Sequence, residues 1–142
     1  MIATQMTPFR LSFKIWITAL LLNTFLGSGF LLIREGNFNP KYYFELPAIG
    51  LMWGAIFSLP IFIIMIFLIL RMVIFDIKWQ NILNTILIID IVLISVAFFA
   101  FYSLFQLSVF DNEFILPLPF IIIISVISSV FLFRKDFQNL YP

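Results

Sequence analysis

Four long apolar stretches dominate this chain and constrain its fold more than any other feature. They cover residues 13–33, 47–70, 82–110 and 116–133, and only short polar segments separate them. A helix needs about 20 mostly apolar residues to cross the hydrocarbon core of a membrane, and each stretch approaches or exceeds that length. The sequence therefore predicts an all-α integral membrane protein, a four-helix bundle that forms a single transmembrane domain over residues 1–142.

The composition supports lipid as the main solvent of the chain. Hydrophobic residues make up 63% of the sequence and charged residues 11%, and the mean hydropathy is +1.16. A soluble domain carries about 25% charged residues, and a chain this apolar would expose large aggregating patches in water. The net charge of +1 gives no field that would attract nucleic acid.

The chain contains neither Cys nor His. This excludes disulfides, thiol nucleophiles, the common metal sites and the usual proton carrier at neutral pH. Most of the carboxylates fall in loops or tails, so no predicted helix presents a pair of acids for catalysis or metal binding; these are Glu35, Glu45, Asp76, Asp111, Glu113 and Asp136. We therefore expect no enzyme activity, cofactor or metal site.

The basic residues predict the orientation in the membrane, because Lys and Arg are enriched in cytoplasmic loops. With the N-terminus inside, six of the eight basic residues lie on the cytoplasmic side: Arg10, Lys14, Arg71, Lys78, Arg134 and Lys135. We expect both termini in the cytoplasm and the first stretch to be a retained helix rather than a cleaved signal. The abundance of Phe and Ile and the lack of Cys favour a bacterial inner membrane.

Small residues mark the faces where membrane helices pack closely. Three stretches carry them at four-residue spacing: Ala19, Asn23 and Gly27; Gly50, Gly54 and Ser58; Ser125 and Ser129. We interpret these faces as contacts within the bundle. Pro60 follows the second set and predicts a kink in the second helix.

The third stretch has a polar stripe along one side of the predicted helix. Its members are Asn81, Asn84, Thr85, Ser95, Tyr102, Ser103 and Gln106. We expect this stripe to face the other three helices. Asp90 lies on the opposite side of the same helix, so it is predicted to face outward.

An outward carboxylate at the centre of a bilayer costs about 2.5–3.5 kcal/mol on insertion scales, and three interpretations avoid that cost. In the first, the span covers 91–110, Asp90 lies at the interface, and 78–89 runs partly along the membrane surface. In the second, a cation from Lys14 or Arg71 reaches Asp90. In the third, the partner of Asp90 belongs to another polypeptide.

These features favour an accessory, anchoring or regulatory subunit of a larger membrane complex, held by a membrane-protein partner or another copy and surrounded by lipid. The alternative is a small oligomeric transporter or pore that uses Asp90, a role that would suit an acid on the inner side of the helix. A membrane effector or immunity protein has the same architecture.

Overall fold

The computed structural model describes residues 6–36, 40–104 and 117–140, and every regular element within them is an α-helix. The elements are α1 (Pro8–Glu35), α2 (Tyr42–Ile74), α3 (Trp79–Leu104), α4 (Pro117–Leu132) and α5 (Arg134–Gln138). The all-α prediction is confirmed for these residues. The predicted end of the third stretch, 105–110, lies outside the described part.

Three of these helices are long and apolar enough to cross a membrane: Pro8–Arg34, Tyr43–Ile74 and Trp79–Ala100. Large apolar side chains are exposed along them, so the chain has the surface of an integral membrane protein. Helix α4 has only 16 residues, about 24 Å at 1.5 Å per residue. A fourth span therefore stays a prediction.

Local sequence explains where α1 begins and where α1 and α2 end. The hydroxyl of Thr7 accepts a hydrogen bond from the backbone N–H of Arg10 at 3.3 Å, and Pro8 follows in the first turn. Gly36 ends α1 with a φ of 61°, which glycine adopts without strain. Asp76 has a φ of 53° in the turn between α2 and α3.

The helices pack in a contact pattern that a four-helix bundle requires. Helix α1 contacts α2 and α4, while α3 contacts α4, α5 and α2. The buried apolar core lies at the end of the bundle that carries most of the basic residues: Leu11, Ile15, Met65, Ile69, Ile82, Leu83, Ile86, Val130, Phe137 and Leu140. The segment after α4 therefore belongs to the core, because it contributes two of these side chains.

The seam between α1 and α2 sets large side chains of α1 against small residues of α2. Three pairs follow each other at one-turn spacing: Trp16 with Ser58, Leu20 with Gly54, and Thr24 with Gly50. The indole N–H of Trp16 donates to Ser58 Oγ at 2.8 Å, and that hydroxyl donates to the carbonyl of Gly54 at 2.6 Å. Helix α2 continues through Pro60, where the kink stays a prediction.

The face proposed for α1 differs from the observed one by one residue. Ala19, Asn23 and Gly27 are only half-buried, and a Cβ added to Gly27 would meet nothing within 4 Å. The buried edge instead carries Leu20, Thr24 and Ser28, about 100° further around the helix. The contact between α1 and α2 pairs a larger side chain on α1 with a small residue on α2. A pattern of small residues on both helices therefore did not predict the buried side of α1.

Candidate functional site

Asp90 lies inside the bundle, with 4% of its surface exposed. It shares the inner face of α3 with Ile82, Ile86 and Ile94, which follow the four-residue spacing of one helix side and are buried. The predicted outward direction is therefore wrong. Isoleucine gains little from exchanging lipid for protein, whereas a carboxylate avoids the hydrocarbon by turning inward.

The polar stripe of α3 faces away from the other helices. Asn81, Asn84, Ser95 and Ser103 are exposed and Thr85 is half-buried, so the predicted inward direction is also wrong. Gln106 and the side chain of Tyr102 lie outside the described part of the chain.

Two features explain why this outward stripe is tolerated. Asn84 lies only about 8 Å along the helix from Trp79, whose ring is of the kind favoured at the membrane surface. Lipid headgroups and water can therefore reach the side-chain amides of Asn81 and Asn84. Ser95 donates its hydroxyl proton to the carbonyl of Ile91 at 2.8 Å, and this bond satisfies the hydroxyl within its own helix.

Asp90 lies near the middle of α3. It follows Trp79 by about 16 Å of helix and precedes Leu104 by about 21 Å. The helix runs from Trp79 to Leu104 without a break. This continuity argues against the interpretation that lays 78–89 along the membrane surface and leaves Asp90 at the interface.

Neither predicted cation partner contacts Asp90. The ammonium of Lys14 pairs with Asp136 at 2.7 Å and lies 5.5 Å from the centre of the Phe133 ring. Arg71 is exposed, and its guanidinium carbon lies 5.7 Å from the centre of the Phe75 ring. Within the described ranges, Asp90 accepts no hydrogen bond and forms no ion pair.

Further buried hydroxyls line the inner faces of α1 and α4: Ser12, Thr24, Ser28, Ser125 and Ser129. Ser125 and Ser129 donate to carbonyls of their own helix, at 2.8 Å each. The oxygens of Ser12 and Thr24 are buried and have no hydrogen-bond partner among the residues that the structure describes. Thr24 borders the small-residue face predicted for α1, whereas no sequence pattern singled out Ser12.

Ser125 and Asp90 are both buried, on two helices that contact each other. Leu83 of α3 and Phe131 of α4 line one groove. Asp90 lies about 10 Å along α3 from Leu83, and Ser125 lies about 9 Å along α4 from Phe131.

The residues described by the structure contain no group of three or more His, Cys, Asp or Glu side chains that could hold a metal ion. Comparison of the chain with known protein families, curated proteins and solved structures finds no match. The features of this chain that can indicate a function are therefore the buried Asp90 and the exposed surfaces of the helices.

Proposed function

We propose that this chain is a small membrane transporter or pore subunit in which Asp90 binds and releases a proton or a small cation. The observation that carries the proposal is the position of Asp90: inward, near mid-helix and without a charged partner among the described residues. An acid held away from water is costly, and membrane proteins that keep one use it in ion pathways and proton relays.

The chemistry of the buried polar side chains fits such a ligand. A carboxylate oxygen can take up a proton or contact a hard cation, and hydroxyl oxygens are suitable additional ligands. The buried Ser125 hydroxyl on the neighbouring helix α4 donates to a backbone carbonyl, which leaves its lone pairs available. In this proposal α4 is the fourth span, both termini lie in the cytoplasm, and the membrane is a bacterial inner membrane.

A flux assay in proteoliposomes tests the role of Asp90. Wild type, Asp90→Asn and Asp76→Asn would be compared for proton, sodium and potassium flux. Asp76 is the matched control, because it is an exposed acid in a left-handed turn that asparagine also tolerates. We expect flux in wild type and Asp76→Asn, and its loss in Asp90→Asn. Wild-type flux equal to empty liposomes, or unchanged flux in Asp90→Asn, would contradict the proposal.

The second candidate is the accessory, anchoring or regulatory subunit of a larger complex. Its support is the exposed polar stripe on α3, because polar side chains on a lipid-facing surface gain hydrogen bonds when another helix covers them. The stripe, rather than Asp90, is the contact surface in this proposal.

Co-purification in mild detergent tests the accessory role. We expect a stoichiometric membrane partner with wild type, and its loss in the double variant Asn84→Leu, Ser103→Leu. Phe57→Leu on exposed α2 is the control and should retain the partner. Recovery of a monomer, or equal capture by all variants, would rule against this candidate.

A further inference from the structure

A groove between α3 and the end of α4 lies at the basic end of the bundle. Its cavity volume is about 340 Å³, and it is lined by Trp79, Gln80, Leu83, Asn84, Phe131 and Arg134. Leu83 is buried, whereas Gln80, Asn84, Phe131 and Arg134 are exposed. The groove thus has an apolar floor and a rim that carries a cation and two amides.

The charged side chain of the groove lies at the ends of the helices, and apolar side chains follow toward mid-membrane. Arg134 and Gln80 lie near the helix ends, where headgroups and water are expected, and Trp79 has the amphipathic ring favoured at that level. Apolar side chains continue these helix faces toward mid-membrane: Leu87 and Ile91 on α3, and Ile127 and Ile124 on α4. A molecule that fits this surface has a polar head and an apolar tail.

The charge of this end selects the sign of the head. Lys78 and Lys135 are exposed neighbours of the groove residues Trp79 and Arg134. Lys14 is already neutralised by Asp136, and within the described part of the chain no carboxylate pairs with Arg134. An anionic head would meet an available guanidinium, with donors from the side-chain amides of Gln80 and Asn84.

We infer that this groove binds an anionic phospholipid, with its phosphate at Arg134 and its acyl chains along the apolar faces of α3 and α4. Basic pockets between helices on the cytoplasmic side of membrane proteins bind such headgroups. The site is separate from Asp90, since it lies about 10 Å nearer the basic end of α3.

The test measures the unfolding temperature of the detergent-solubilised full chain with added phosphatidylglycerol, phosphatidylcholine or inorganic phosphate. We expect phosphatidylglycerol to stabilise wild type more than phosphatidylcholine does, and phosphate alone to have no effect. Arg134→Gln should weaken the apparent affinity for phosphatidylglycerol roughly five-fold. Arg71→Gln is the matched control, because it removes an exposed cation from the same end but outside the groove.

Four results would overturn the inference. Equal stabilisation of wild type by both lipids would show that the site has no preference for an anionic headgroup. Equal effects of Arg134→Gln and Arg71→Gln would show that the lipid does not bind in the groove. Full stabilisation by inorganic phosphate would show a phosphate site without a lipid requirement. A second copy in the groove would appear as a dimer that excludes bound lipid in native mass spectrometry. If Arg134→Gln fails to fold, Gln80→Leu on the same rim replaces it.

Discussion

The ammonium nitrogen of Lys14 lies 2.7 Å from Oδ2 of Asp136, and this contact joins the first turns of α1 to α5. Both side chains are partly exposed, and the pair lies beside the buried core at the basic end. The same contact removes Lys14 as a partner for Asp90. The ion pair therefore connects distant parts of the sequence at the basic end of the bundle.

Asp136→Asn should lower the free energy of unfolding by roughly 0.2–1 kcal/mol, the range typical of surface ion pairs. Unfolding in detergent at low and high salt measures it, and the loss should shrink as salt screens the wild-type pair. Asp76→Asn provides the control for removing an exposed acid. An equal loss in both variants would show that the ion pair contributes nothing specific.

Asp90→Asn should raise the free energy of unfolding at neutral pH, by on the order of 1–3 kcal/mol. The amide has nearly the shape of the carboxylate but needs less solvation, and the described residues show no partner that the carboxylate would lose. Thermal or denaturant unfolding of the purified variant measures this. A large destabilisation would instead reveal a counter-charge or donor bound to Asp90.

Gly54→Leu should destabilise the chain by about 1–3 kcal/mol, because a Cβ at Gly54 would already lie 2.8 Å from Leu20 Cδ1. Gly27→Leu, at a helical glycine with nothing within 4 Å, should be neutral or slightly stabilising. Thermal unfolding of the two variants in the same detergent compares them. Adding Leu20→Ala to Gly54→Leu should restore part of the lost free energy of unfolding. If it restores none, the clash does not involve Leu20.

Phe137→Ala should lower the free energy of unfolding by about 3–5 kcal/mol, the usual loss for a large aromatic side chain in a core. Phe137 is fully buried although it lies only a few residues beyond the last apolar helix. Phe57→Ala on exposed α2 is the same substitution on a lipid-facing surface. Denaturant unfolding should separate them, and similar values would mean that α5 does not hold the bundle together.

Sequence periodicity located the helices and one relationship within α3 correctly. Asn81 and Asp90 are nine residues apart, so they lie on opposite sides of an α-helix, and the structure exposes the first and buries the second. The predicted direction of these two sides, with the polar stripe inward and Asp90 outward, was wrong. In a water-soluble protein the apolar side of a helix faces the core. In lipid an apolar side can face either the lipid or the other helices, so polarity alone does not tell which side of α3 faces inward.

Contacts between distant segments also could not be predicted from the sequence. Nothing in the spacing of Trp16 and Ser58 predicts a hydrogen bond across the α1–α2 seam, since it depends on the register of two helices. The short segment with Phe137 lies beyond the predicted fourth span, 116–133, in the expected cytoplasmic tail. Its burial arises from packing against the ends of other helices, which no local pattern encodes.

The uneven distribution of the core has a consequence for how anything reaches Asp90. Close packing of Leu83 and Ile86 fills the bundle between that acid and the basic end, whereas Ile94 is the one buried apolar side chain beyond it among the described residues of α3. A particle arriving from the basic side would have to cross dense protein. We therefore expect one-sided access, from the face of the bilayer opposite the positive charges.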